Sequence, residues 1–156
     1  MINLGEQAPD FTLRDQNNEE VQLSSFRGTK AVLIIFYPFA FTNICTGELN
    51  RVRDDLESFQ NDNVQVLTIS CDSPFSHKIF SMREDLEFPL LADFWPHGAV
   101  AQAYGVFNET VGAANRGTFL VDRDGVVRFA ECNQIGEGRD PAVWQTAIKS
   151  IAGSTG

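Results

Sequence analysis

The sequence predicts an α/β fold: a mixed central sheet flanked by helices, with a β-hairpin at its N-terminal end. Three observations carry that expectation. Residues 31–37 are apolar throughout, as befits a strand covered on both faces. A helical-period segment separates this run from a second strand at 64–70, and a helical crossover makes two such strands parallel. Later, strand-like runs at 118–121 and 126–129 flank Asp124-Gly125, a hairpin signal that adds antiparallel strands to the sheet.

Taken in order, Phe11-Thr12-Leu13 and Val21-Gln22-Leu23 alternate around a polar segment and form the N-terminal hairpin. Gly28-Thr29-Lys30 breaks the chain before the first central strand. Residues 48–59 place Leu49, Val52, Leu56 and Phe59 at spacings of three and four, one face of a helix. Asn61-Asp62-Asn63 turns into the 64–70 strand. Asp72-Ser73-Pro74 opens a second helix with Phe75, Ile79 and Met82 on one face and His77 at its surface. A short apolar run at 88–91 and a short helix at 99–104, ended by Gly105, follow. Asp140-Pro141 starts a last helix reaching Ile151, and Ser154-Thr155-Gly156 is a frayed end.

A chain of 156 residues makes one domain, 1–156, large enough to bury a core without metals or crosslinks. The net charge of −9 argues against a nucleic-acid partner, whose binders show a basic footprint. No apolar run approaches the roughly 20 residues of a membrane span, and Met1-Ile2-Asn3-Leu4-Gly5-Glu6 lacks the basic-then-apolar pattern of a secretory signal. A cytoplasmic location is expected. Three cysteines cannot all pair within one chain, none lies in a Cys-x-x-Cys motif, and the two histidines have no metal-like spacing. No metal or cofactor is expected.

The chemistry centres on Cys45. It sits just past the carboxyl end of a central strand, where open α/β sheets place their sites, and in the first turn of a helix. With Thr42 as N-cap, Cys45 is the third helical residue, and the threonine oxygen is expected to accept its backbone N–H. Unpaired N–H groups and a partial positive charge at the helix start favour thiolate over thiol. Pro38 donates no backbone hydrogen bond and stiffens the loop between strand and helix.

Pro38-x-x-x-Thr42-x-x-Cys45 resembles the active-site signature of the peroxiredoxins, thiol peroxidases of the thioredoxin-like fold. Ala8-Pro9-Asp10-Phe11, Phe88-Pro89-Leu90-Leu91-Ala92-Asp93 and Asn115-Arg116-Gly117-Thr118-Phe119 match that family in order and spacing. Phe94-Trp95-Pro96-His97-Gly98-Ala99-Val100 resembles the AhpE-type, one-cysteine branch, and the similarity runs from Asn3 to Trp144. The resemblance implies reduction of hydrogen peroxide, organic hydroperoxides and peroxynitrite through a sulfenic acid on Cys45. It also implies an external thiol reductant, mycothiol with a mycoredoxin-like partner or a thioredoxin-like protein, and a homodimer. Asn50 stands where one subgroup carries a resolving cysteine, and the chain ends at Gly156 without the extension of two-cysteine dimers. Both departures point to a one-cysteine cycle.

Thiolate formation cannot by itself make such a site fast. Lowering a thiol pKa from about 8.5 to about 6 raises the thiolate fraction roughly thirtyfold at neutral pH. A Brønsted slope of about 0.45 takes back about tenfold in nucleophilicity. Donors must therefore act on the departing oxygen, and Arg116, the basic residue of the family motif, has the best geometry for it. An antiparallel strand at 118–121 would bring Arg116 to the sheet edge where Cys45 lies. Glu48, one turn beyond Cys45, either holds Arg116 or simply faces the helix dipole. Cys71 at a strand end and Cys132 beyond the last hairpin lack special activation and are read as structural thiols. The 94–97 segment is read first as loop packing, with an aromatic wall beside the site as the alternative. A disulfide oxidoreductase would want cysteine at position 42; a redox sensor relaying Cys45 oxidation to a client protein is the rival reading.

Overall fold

A computed structural model of the protein describes residues 1–152; the expected frayed end at 154–156 lies outside the described residues. The N-terminal hairpin pairs β1 (Thr12–Arg14) with β2 (Glu20–Gln22), Leu13 opposite Val21. Then come β3 (Ala31–Phe36), α1 (Asn43–Asp54), β4 (Val64–Ser70), α2 (Pro74–Glu84), β5 (Leu90–Ala92) and α3 (Ala99–Ala103). A two-stranded ribbon of β6 (Phe107–Asn108) and β7 (Ala113–Ala114), unforeseen from the sequence, precedes β8 (Arg116–Val121), β9 (Val127–Asn133) and α4 (Pro141–Ala152).

The seven-stranded sheet has the order β2-β1-β5-β4-β3-β8-β9. β3 runs parallel to β4 from Ala31↔Val64 to Phe36↔Ile69 and antiparallel to β8, with Ile35 opposite Thr118. β3 is buried along its whole length because both faces are covered. Val32, Ile34 and Phe36 pack with Leu67, Ile69, Tyr104 and Phe119 on one face. Leu33, Ile35 and Tyr37 pack with Cys45, Leu49, Val52, Phe80 and Trp144 on the other, under α1, α2 and α4. The strand's period of two thus assigns Tyr37 and Cys45 to the same layer.

Several expectations about these elements need correction. The helix after Cys45 ends at Asp54 instead of continuing to Phe59. Asp55 leaves helical geometry at φ −133°, ψ 47°, and its side chain accepts from Ser58 Oγ at 2.9 Å. That local bond competes with the helix, and 56–58 tightens into a 3-10 turn that still buries Phe59 edge-on against Trp144. On α2 the apolar stripe faces outward: Phe75 is 84 % exposed, and Ile79 and Met82 are exposed with it. His77, expected at the surface, is wholly buried with Phe80 and Ser81, because β4 and the residues just after it supply polar partners for the imidazole. Cys132 lies within β9, opposite Gly117, and not beyond the hairpin.

Candidate active site

Cys45 is the third residue of α1 and is fully buried. Thr42 is the N-cap, with extended backbone at φ −83°, ψ 151°, and its carbonyl accepts the Thr46 N–H at 2.9 Å. Its hydroxyl does not take the Cys45 N–H as expected. Oγ1 donates backwards to the Phe39 carbonyl at 3.0 Å, bracing the loop instead of capping the helix. The first-turn N–H groups of α1 thus have no side-chain acceptor and remain available to an anion.

That loop, 38–42, is held at several points. Tyr37 N–H bonds the Ile69 carbonyl at 3.0 Å, tying the loop's start to β4. Pro38 is buried and, lacking an N–H, leaves no donor unpaired there. Ala40 N–H donates to Asp72 Oδ2 at 2.9 Å. Phe41 adopts φ +69°, a left-handed conformation that costs a bulky side chain about 1–3 kcal/mol. Contacts with α2 support it: Phe80 lies 5.1 Å away ring to ring, and Arg83 sits 5.6 Å over the Phe41 ring.

Arg116 is the first residue of β8 and is buried. The register that sets Ile35 opposite Thr118 carries Arg116, two residues earlier, to the edge where β3 stops. Its Nη1 donates to Glu48 Oε1 at 2.7 Å and its Nε to the Ile135 carbonyl at 2.7 Å. Glu48 therefore does hold Arg116. Standing three residues after Cys45 on α1, it presents the guanidinium to the face that carries the thiol. Arg116 Nη2 makes no hydrogen bond among the described residues, so one edge of the fork keeps donors free.

Sequence reasoning missed Arg139. Its Nη2 and Nε bond Glu48 Oε1 and Oε2 at 2.8 and 2.9 Å, and its backbone N–H bonds Oε2 at 2.8 Å. Nη1 reaches the Gly117 carbonyl and Thr118 Oγ1, and the guanidinium lies 5.5 Å over the Trp144 ring. Arg139 comes from a loop with no periodicity of its own, so its sequence offered only a basic residue after Gly138. One buried carboxylate thus faces two buried guanidiniums, leaving one positive charge in excess. Removing either partner type would cost about 3–5 kcal/mol, so the triad is firmly fixed.

The other cysteines differ. Cys71, immediately after β4, is buried, and desolvation, with Asp93 and Asp72 adding to it, pushes its thiol up to about 12. Cys132 is exposed on β9. The 94–97 segment does not form a buried wall: Phe94 and Trp95 are exposed, and His97 Nε2 bonds the Gly112 carbonyl at 2.6 Å. No group of three or more metal-ligating side chains occurs among the described residues.

A buried cysteine at a helix start, on a mixed sheet of this order, with a fixed guanidinium beside its helix, defines a thiol redox protein of thioredoxin-like fold. Comparison with known proteins narrows this. Residues 4–130 match the AhpC/TSA family. The alkyl hydroperoxide reductase E of Mycobacterium tuberculosis is 56% identical over 151 residues, covering 97% of this chain and 99% of the relative. A chloroplastic 2-Cys peroxiredoxin of Hordeum vulgare is 35% identical, over 87% of this chain and 69% of its own. The reduced 2-Cys peroxiredoxin of Plasmodium vivax superposes with a TM-score of 0.87 at 27% identity, covering 98% of this chain and 83% of that one. The chain belongs to the AhpC/TSA family, that of the peroxiredoxins.

Proposed function

We propose that the protein is a thiol-dependent hydroperoxide reductase with Cys45 as the reacting thiol and a one-cysteine cycle. The observation that carries this reading is the Glu48-bound Arg116 set beside the helix whose first turn buries Cys45. The Cys45 thiolate attacks the terminal oxygen of a hydroperoxide; the O–O bond breaks, and the departing alkoxide or hydroxide takes a proton. Arg116, through its unbonded Nη2, offers donors to the oxygen gaining charge. Thr42 and Pro38 act on the loop, through the hydroxyl bond to Phe39 and a fixed φ. The product is Cys45 sulfenic acid, which condenses with an external thiol, releasing water, to a mixed disulfide that a second thiol reduces.

The substrates in this reading are hydrogen peroxide, organic hydroperoxides and peroxynitrite. The reductant is a small thiol such as mycothiol with a mycoredoxin-like partner, or a thioredoxin-like protein. Three unpaired cysteines suit a reducing compartment, the cytoplasm. No described helix is long and apolar enough to cross a membrane. The exposed Phe75, Ile79 and Met82 of α2 support a homodimer. Cys45→Ser should abolish peroxide consumption with added thiol, while Cys71→Ser and Cys132→Ser each keep most of it. An active Cys45→Ser protein would refute the proposal.

A further inference from the structure

We infer that Asp72 is a positioning residue for the Cys45 reaction, acting through the Ala40 N–H of the loop that leads into α1; this rests on the reading of Cys45 as the reacting thiol. Asp72 follows β4 and never touches the thiol in the structure's hydrogen bonds. Its Oδ2 accepts the Ala40 N–H at 2.9 Å and the Ser70 hydroxyl at 2.6 Å. Ser70 Oγ in turn lies 2.7 Å from His77 Nε2, in a fully buried contact.

The direction of these bonds follows from the donors available. Ser70 has one hydroxyl proton, and the carboxylate, which only accepts, takes it. Ser70 Oγ must then accept from His77, so the proton of the neutral imidazole is on Nε2. Nδ1 is the bare nitrogen, and it is buried without a hydrogen-bond partner. The row reads His77 Nε2–H to Ser70 Oγ–H to Asp72 Oδ2, with Ala40 N–H arriving from the other side. Each member points the next, and chains of this kind polarise one another.

What the row holds in place is the residue before Phe41. Phe41 has a positive φ that its own chemistry disfavours, and Thr42, which follows it, is the N-cap of the Cys45 helix. Release of Ala40 would let Phe41 relax, and the N-cap and first turn would move with it. Cys45 is fully buried, in one cluster with Tyr37 and Ala40 at this loop, so movement of the loop would open one side of its cover. Asp72 therefore sets the thiol's alignment for peroxide and its shielding from larger reagents together.

Those two consequences carry opposite signs, and a general loss of stability does not reproduce that. Asp72→Ala should lower the rate constant of Cys45 with hydrogen peroxide about tenfold. In the same protein, alkylation of Cys45 by neutral iodoacetamide, assigned by peptide mass spectrometry, should quicken severalfold. Asp72→Asn, which keeps an acceptor for Ala40, should recover most of the peroxide rate. If Asp72→Ala does not fold, Ser70→Ala serves, with both rates moving in the same senses by smaller factors. Rates that stay at wild-type values, or that fall together, overturn the assignment. The alkylation arm needs no peroxidase activity, so it separates this inference from the functional reading on which it rests.

Discussion

His77 makes the stability of this protein depend on pH in a window where few other groups titrate. Burial, against the opposing pull of Asp72 and the Leu90 backbone, pushes its imidazole down to about 4 from an ordinary 6.5. Between those two values the unfolded chain holds a proton that the folded chain refuses, so stability falls as the solution is acidified. It is fully present above about 6.5 and fully lost below about 4. The whole difference is about 3 kcal/mol at about 1.36 kcal/mol per pKa unit. Linkage puts about 2 kcal/mol of it between pH 7 and pH 5. The groups facing the ring are Ser70 Oγ, Asp72 Oδ2 at 3.9 Å, the Leu90 backbone and the Tyr37 ring at 6.2 Å. The assay is urea unfolding of wild type and His77→Gln at pH 7, 6 and 5, since carboxylates common to both proteins cancel in the difference. The variant should be the less stable at pH 7, and its deficit should shrink by about 2 kcal/mol at pH 5. Parallel pH profiles for the two proteins would refute the reasoning.

Two further outcomes bear on the chemistry. Arg116→Met should slow the reaction with hydrogen peroxide far more than it slows alkylation of Cys45 by a neutral reagent, because in the proposed reaction the guanidinium acts on the departing oxygen; competition kinetics measure both, and equal slowing would remove that role. One equivalent of peroxide without added thiol should leave Cys45 as a sulfenic acid that dimedone traps, with excess peroxide driving overoxidation. A dominant Cys45–Cys71 disulfide in the mass spectrum would replace the one-cysteine cycle with a two-cysteine one.

The parts of this fold that follow a period were legible beforehand. The apolar 31–37 run, the 64–70 strand and the Asp124-Gly125 hairpin lie where the pattern placed them. Helix α2 shows why a period can mislead. Its sequence carries two stripes, an apolar one through Phe75, Ile79 and Met82, and one through His77 and Phe80. The more polar stripe went inside because Ser70 and Asp72 satisfy the imidazole there. That is a tertiary fact, absent from any window of local sequence. The same holds for Thr42, whose N-cap position was readable while the partner of its hydroxyl, Phe39, depended on the fold of the loop.

Arg139 was illegible for a deeper reason, and it explains why Glu48 is worth burying at all. A buried ion pair is weak evidence of stability, since desolvating both charges offsets most of the attraction. Here one carboxylate takes two guanidiniums, and all three side-chain nitrogens of the second one, Arg139, are bonded to Glu48, Gly117 or Thr118. Arg116 bonds Glu48 with a single nitrogen and keeps Nη2 unbonded. Arg139 thus locks the carboxylate, and the carboxylate aims Arg116. In the proposed reaction, the one positive charge left over is the counter-charge for the thiolate or the departing oxygen at Cys45.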